Sequence, residues 1–249
     1  MTDIVKSGPG GIAKPVSKWE EELAKLAADA SETEYGGGSF ISTQAGQLSI
    51  NGEDVKDNKL NVVIVDYIYE NIYYGEKFNP KVKKPPLCFA LNREQDQLAP
   101  HPESLKPQAP DCAHCPQNVF GSDPEGDGKA CKNIRRLGLI SSDITPDAVP
   151  GTEVLYLKTP VTSTKAWGIY VKTLNSMFSR PPFGVVTQIS TVPHKQHQYH
   201  LTFTPIGLLE DAMLEPVMEK RDVVMDSIAF PYQKPAEAEA PAAPDSKKF

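Results

Sequence analysis

A chain of 249 residues with 39% hydrophobic and 23% charged side chains has the material for one large domain or two small ones around a substantial core. Its 23 prolines and 17 glycines argue against a helical bundle and for loop-rich β architecture, and no apolar run reaches the ~18–20 residues of a membrane-spanning helix. The net charge of −6 is unevenly spread: residues 1–76 carry 6 basic and 13 acidic groups, residues 77–200 carry 15 and 10, and residues 201–249 carry 5 and 9. A basic middle between acidic ends suits a polyanionic partner, although uneven surface charge alone gives the same pattern. The opening Met1–Lys6 has no apolar stretch of signal-peptide type, so a cytoplasmic location is expected.

In chain order, residues 1–38 read as a flexible leader and a short helix. Ser17 and Glu20 form a capping box, and the helix runs to about Ala30. Residues 39–43 and 47–51 pattern as a hairpin around Ala45-Gly46. Leu60–Tyr74, dense in β-branched and aromatic residues, is the strongest strand signal. Periodicity then vanishes over about 75–131, a proline-rich insertion too long to be an unstructured loop in a compact domain. Strands are expected near Lys132–Ser141 and Glu153–Lys158. A helix follows with Thr159 as N-cap, Pro160 in the first turn, and a stripe of Trp167, Tyr170, Val171, Leu174, Met177 and Phe178. A hairpin pairs 184–192 with 198–204, a helical region at 208–228 is interrupted by Pro216, and 231–249 is a Pro/Ala/Glu-rich tail expected to be disordered. Strands, insertion, strands, helix, strands is the order of an α+β, β-rich fold: a decorated OB-like barrel spanning 39–230.

Every cysteine of the chain falls in that insertion, as Cys88-x23-Cys112-x2-Cys115-x15-Cys131. A Cys-x2-Cys turn brings two thiolates onto one ion, and a distant pair completes a tetrahedron while closing the loop between them. A structural Zn2+ stapling the insertion is the expectation. His114 is a possible substitute for one cysteine, and an iron–sulfur cluster and free buried thiols are the competing readings. Four protein ligands leave no open position for water, so such a metal would order the loop rather than run hydrolysis.

Catalytic signatures are absent from the sequence: there is no phosphate loop, no His-Glu-x-x-His and no Gly-x-Ser-x-Gly. His194, His197 and His200 crowd one hairpin and read better as a solvated turn than as a metal or catalytic cluster. Single-strand binders combine cationic grooves with aromatic faces. Lys77, Lys81, Lys83 and Lys84 precede the cysteines, and Lys129, Lys132, Arg135 and Arg136 follow them, with Tyr73, Tyr74 and Phe78 as stacking candidates. Strict alternation puts Tyr67 and Tyr69 on the face of Val63 and Val65, which makes them core candidates, as is Trp167.

The segments Cys-Ala-His-Cys-Pro-Gln-Asn-Val-Phe-Gly-Ser (112–122), Gly-Lys-Ala-Cys-Lys-Asn-Ile-Arg-Arg-Leu (128–137) and Arg-Pro-Pro-Phe-Gly-Val-Val-Thr (180–187) resemble phage-encoded zinc-binding proteins that bind single-stranded DNA in replication and recombination. The resemblance implies Cys112, Cys115 and Cys131 as ligands, with Lys132, Arg135 and Arg136 near DNA. It implies a non-enzymatic role in the host cytoplasm and recruitment of replication or recombination proteins through an acidic tail ending in Phe249. Lys247 and Lys248 depart from the usual acidic end. A virion structural or assembly protein, and then a nucleic-acid-processing enzyme, are the alternatives.

Overall fold

The computed structural model describes residues 40–76, 84–194 and 198–232, with Glu22 alone before them. The expected N-terminal helix, Lys77, Phe78, Lys81, Lys83, His197 and the tail with Phe249 lie outside the described residues. The fold is α+β and β-rich, and the described residues form two sheets and two long helices.

The expected first hairpin is present as β1 (Ile41–Ser42) and β2 (Ser49–Ile50), and β3 (Glu53–Asp54) adds a third short strand. The main sheet is built on β4 (Lys59–Tyr73), a strand of 15 residues. Its first third pairs with β8 (Val185–Pro193), its last third with β5 (Cys88–Asn92), and most of its length with β6 (Lys132–Ser141), all antiparallel. β7 (Leu155–Lys158) lies beyond β6, and β9 (Tyr199–Leu208) lies beyond β8. The order β7-β6-β4-β8-β9 is open at both edges, so the expected barrel is not closed. The small sheet sits at the β7 edge, where Phe40 bridges to Tyr156.

Val65 is an extra residue in β4: Ile64 stands opposite Leu139 and Asp66 opposite Gly138, consecutive residues of β6. A bulge of this kind reverses the in–out pattern of everything after it. Before it, Val62 and Ile64 face one core while Val63 and Val65 face the other. After it, Tyr67 joins Val62 and Ile64, and Ile68 joins Val63 and Val65. Strict alternation had placed Tyr67 and Tyr69 with Val63 and Val65. The bulge puts them on the opposite face, the one against which Trp167, Tyr170 and Leu174 pack.

That face is filled by α1 (Thr164–Phe178), whose Trp167, Tyr170 and Leu174 are buried against Leu137, Leu139, Leu157, Ile189 and Leu201. Each fully buried side chain of this size contributes roughly 1.5–3 kcal/mol. Trp167 meets Tyr67 edge-on at 5.1 Å. The stripe is shorter than its periodicity implies, because Met177 is 69% exposed at the helix end. Thr159 is not the N-cap. Its hydroxyl accepts a hydrogen bond from the Arg135 amide and its own amide donates to the Arg135 carbonyl, both at 2.9 Å, which extends the β6–β7 ladder.

The other face is covered by α2 (Asp211–Ser227), which buries Met213, Val217 and Val224 and runs through Pro216 without a break. α2 can lie this close because residue 138 is glycine: a Cβ there would stand 3.0 Å from Val224 Cγ1 and 3.5 Å from Val154 Cγ1. Gly138→Ala is therefore expected to cost about 1–2 kcal/mol through overpacking. A lowered urea midpoint at unchanged m-value will show it.

Candidate nucleic-acid interface and thiol cluster

Beyond the bulge, β4 and β6 set residues face to face in consecutive cross-strand pairs: Tyr67 with Leu137, Tyr69 with Arg135, and Asn71 with Asn133. Same-face pairs at this spacing touch. The Arg135 guanidinium lies over the Tyr69 ring at 3.8 Å from its centroid, and the Asn133 amide donates to Asn71 Oδ1 at 2.7 Å. The α1-side face thus changes along the strands from an aliphatic and aromatic core to a polar ladder. It ends at the cysteines, since Cys88 pairs with Tyr73 across β4–β5 and Cys131 immediately precedes β6.

The insertion folds back over this end. Its Cys112-Ala113-His114-Cys115 hook is tied down by hydrogen bonds from the Cys112 amide to the Leu98 carbonyl, from Asn118 Nδ2 to the Cys112 carbonyl, and from the Cys131 amide to the Gln117 carbonyl, at 2.9, 2.7 and 2.8 Å. All four cysteines are free and buried, and all four line one cavity of about 10 Å³, room for a single atom-sized occupant. They ring this space without closing on a common centre: among the described residues no group of three or more His, Cys, Asp or Glu side chains stands in metal-holding geometry. Burial pushes the Cys112 thiol up, and the Asn71 amide hydrogen-bonded to it acts in the other direction. Burial, and then the three neighbouring thiols, push Cys131 up to about 12. Thiols that oppose one another's ionisation are a donor set that a divalent cation would convert to thiolates. Four thiols on one small space are the donor types a four-thiolate zinc site would need, and Asn71 would be the hydrogen-bonding support of one of them. His114 does not line this cavity. It is 85% exposed and its ring pairs with Asp111 at 2.9 Å, so its reading as a substitute ligand is set aside.

The cationic residues divide sharply. Lys129 donates to Asn118 Oδ1 and Asn133 Oδ1, at 3.1 and 3.2 Å, and its ammonium lies 5.2 Å from the centre of the Phe120 ring. Phe120 is 78% exposed, and sequence reasoning passed it over because an aromatic in an aperiodic loop carries no positional signal. Lys132 pairs with Asp123 at 2.7 Å, and Lys84 pairs with Glu76 at 3.1 Å on the surface. Tyr73 and Tyr74 line a separate cavity of about 660 Å³ whose wall includes Glu76, Asp123 and Glu125 beside Lys132, a poor lining for phosphate. Burial, followed by the charge of Glu70, raises the Tyr74 hydroxyl above its usual range.

Arg136, next to Arg135 in sequence, points to the other face and is only 1% exposed. Its guanidinium binds Glu70 with two hydrogen bonds of 2.8 and 3.1 Å and the Ile228 and Phe230 carbonyls at 3.0 and 2.7 Å. Lys158 approaches Glu70 at 3.4 Å and donates to the Tyr232 hydroxyl at 2.6 Å, and the Tyr232 hydroxyl in turn donates to Glu70. Arg136 is therefore a structural residue that fastens the C-terminal end of α2 to the sheet, and its reading as a DNA contact is corrected.

Compared with known protein families, curated proteins and solved structures, the chain has no match.

Proposed function

We propose that this protein binds single-stranded DNA without chemical turnover, through the polar end of the β4–β6 ladder and the insertion that a zinc ion staples above it. The supporting fold argument is the strand order. Neighbours β7-β6-β4-β8-β9, with a helix between β7 and β8, are those of an OB barrel opened between its third and fifth strands. In that architecture the second and third strands, here β6 and β7, and the loop after the first, here the cysteine insertion, face the oligonucleotide.

The observation that carries the reading is the pair of cation–aromatic contacts on that surface, Lys129 over Phe120 and Arg135 over Tyr69. Bases stack on exposed aromatic faces whatever their sequence, and adjacent cations hold the phosphates. The tail ending in Phe249 keeps its proposed role of docking replication or recombination proteins, which fits a phage-encoded protein acting in the host cytoplasm. One observation favours the second reading, a virion assembly protein: Ile169 and Met177 on α1 and Ile206 and Leu208 on β9 are exposed apolar residues of the kind that contact other proteins. Among the described residues no helix is long and apolar enough to cross a membrane.

The test is fluorescence anisotropy with labelled oligo-dT and duplex DNA of equal length over a salt series. Tighter binding to the single strand, with affinity falling as salt rises, is expected. Phe120→Ala should weaken oligo-dT binding by roughly 5- to 150-fold, equivalent to about 1–3 kcal/mol for one stacked base, with thermal stability unchanged. No preference for the single strand, or no effect of Phe120→Ala, would sink this interface and favour the assembly reading.

A further inference from the structure

Between the Tyr69–Arg135 pair, the asparagine ladder and the inner side of the insertion lies a cavity of about 460 Å³, within the roughly 300–1,000 Å³ typical of sites that enclose a small molecule. Its walls are amide-rich. Asn71, Asn118 and Asn133 line it with Lys129, Tyr69 and Arg135.

Three features define what it can accept. First, the amides are held in place by each other and by the backbone: Asn133 donates to Asn71, Asn118 donates to the Cys112 carbonyl, and Lys129 bridges the Asn118 and Asn133 oxygens. Side chains fixed in this way present their remaining N–H groups without a further ordering cost. Second, both cations are already engaged, Lys129 by two amide oxygens and Arg135 by the Tyr69 ring, and Asp96 is on the wall. A phosphate inside the cavity would meet the Asp96 carboxylate and find both cations already sharing their charge with protein groups, so the cavity is poorly suited to an anion. Third, Arg135 backed by Tyr69 offers a flat, delocalised surface against which a π-system stacks. A neutral, planar ligand with hydrogen-bonding edges meets all three conditions.

We propose that this cavity receives one nucleobase of the bound strand, turned out of the stack, lying against the Arg135–Tyr69 pair with its edge hydrogen-bonded by the asparagine amides. This inference rests on the single-stranded DNA reading and sharpens it. Phe120 and Lys129 at the rim hold the neighbouring base and the backbone, and the cavity holds one base within. The remaining amide hydrogens make the site rich in donors. Bases that present ring-nitrogen or carbonyl acceptors, as thymine and guanine do with O4 and O6, fit it best. Asn71 also touches the Cys112 thiol, which connects an occupied cavity to the ordered state of the cysteine loop.

The experiment measures binding of two strands of equal length, oligo-dT and a strand whose thymines are replaced by abasic sites, to the wild type, Asn133→Ala and Arg135→Gln. Both substitutions lie in the cavity and leave the cysteines and the Asn118 tie untouched. Each should weaken oligo-dT binding roughly tenfold, the loss of about one base-edge contact. Asn133→Ala should leave abasic-strand affinity and the salt slope of oligo-dT binding unchanged. If Asn133→Ala weakens both strands equally, or alters the salt slope, the residue serves the backbone or the fold and the base pocket is overturned while DNA binding stands. An unaffected oligo-dT affinity overturns it equally. A wild-type protein that binds neither strand overturns the pocket and the DNA reading together.

Discussion

Cys112→Ser and Cys131→Ser proteins are expected to lose their zinc and to loosen the insertion while keeping the main sheet. The four thiols surround one cavity of about 10 Å³, a space that suits a single ion. Roughly one zinc per chain is expected in protein purified under reducing conditions, measured by elemental analysis. Among the described residues 84–130, the chain contributes one five-residue strand, β5, to the sheet and otherwise depends on turns, short 3-10 segments and single hydrogen bonds. Without a cation the opposed thiols return to the neutral form, and nothing compensates the entropy of ordering a proline-rich loop. Hydrogen exchange should then show fast exchange across residues 84–131 and retained protection in β4, β6 and β8. Fe rather than Zn would redirect the site to cluster chemistry, and absence of any metal in reduced protein would remove the staple.

The Glu70–Arg136 pair should produce the largest stability effect in the chain. Glu70 is 0% exposed and Arg136 1%, so removing either partner strands a charge inside the sheet. Arg136→Ala and Glu70→Ala are each expected to cost about 3–5 kcal/mol. That corresponds to a fall in Tm of the order of 10 °C for a domain of this size. Glu70→Leu combined with Arg136→Met should be less damaging than either single change, because no unpaired charge remains.

The pair also predicts an acid response. Burial pushes the Glu70 carboxyl up, but the hydrogen bonds and charge of Arg136, followed by Lys158 and Tyr232, outweigh it and hold the carboxyl below its ordinary range. A group whose pKa is depressed by folding stabilises the fold above its unfolded value, ~4.3 for Glu. That contribution is lost as pH falls through the folded value. Thermal melts from pH 7 to pH 3 should show a steeper decline for the wild type than for the Glu70→Leu/Arg136→Met protein. Equal slopes would mean that other carboxylates dominate acid unfolding. Arg135, one residue away, should behave in the opposite manner: Arg135→Gln changes binding and leaves Tm nearly unaltered.

Local signals in the amino-acid order were enough for the elements that obey a simple period. β4 is legible because ten of its fifteen residues are β-branched, aromatic or leucine. The core of α1 is legible because Trp167, Tyr170 and Leu174 recur at helical spacing. The convergence of four cysteines is legible because metal-ligand spacing is itself a statement about loop closure.

What the order of residues does not contain is the one-residue bulge at Val65, and the faces of β4 depend on it. A period of two has no memory of phase, so a single inserted residue exchanges inside and outside for everything after it. The tertiary structure alone therefore decided that Tyr69 meets Arg135, and that Asn71 and Asn133 form a polar ladder. It alone decided that Arg136 turns inward to a carboxylate 66 residues earlier in the chain. The open edges of the sheet have the same origin: pairing of β7 with β9 is a long-range contact that each strand's own sequence leaves unspecified, and the structure does not make it. The exposure of Phe120 likewise follows from how the cysteine loop folds back on the sheet, a matter of closure and hydrogen bonding between distant segments rather than of local pattern.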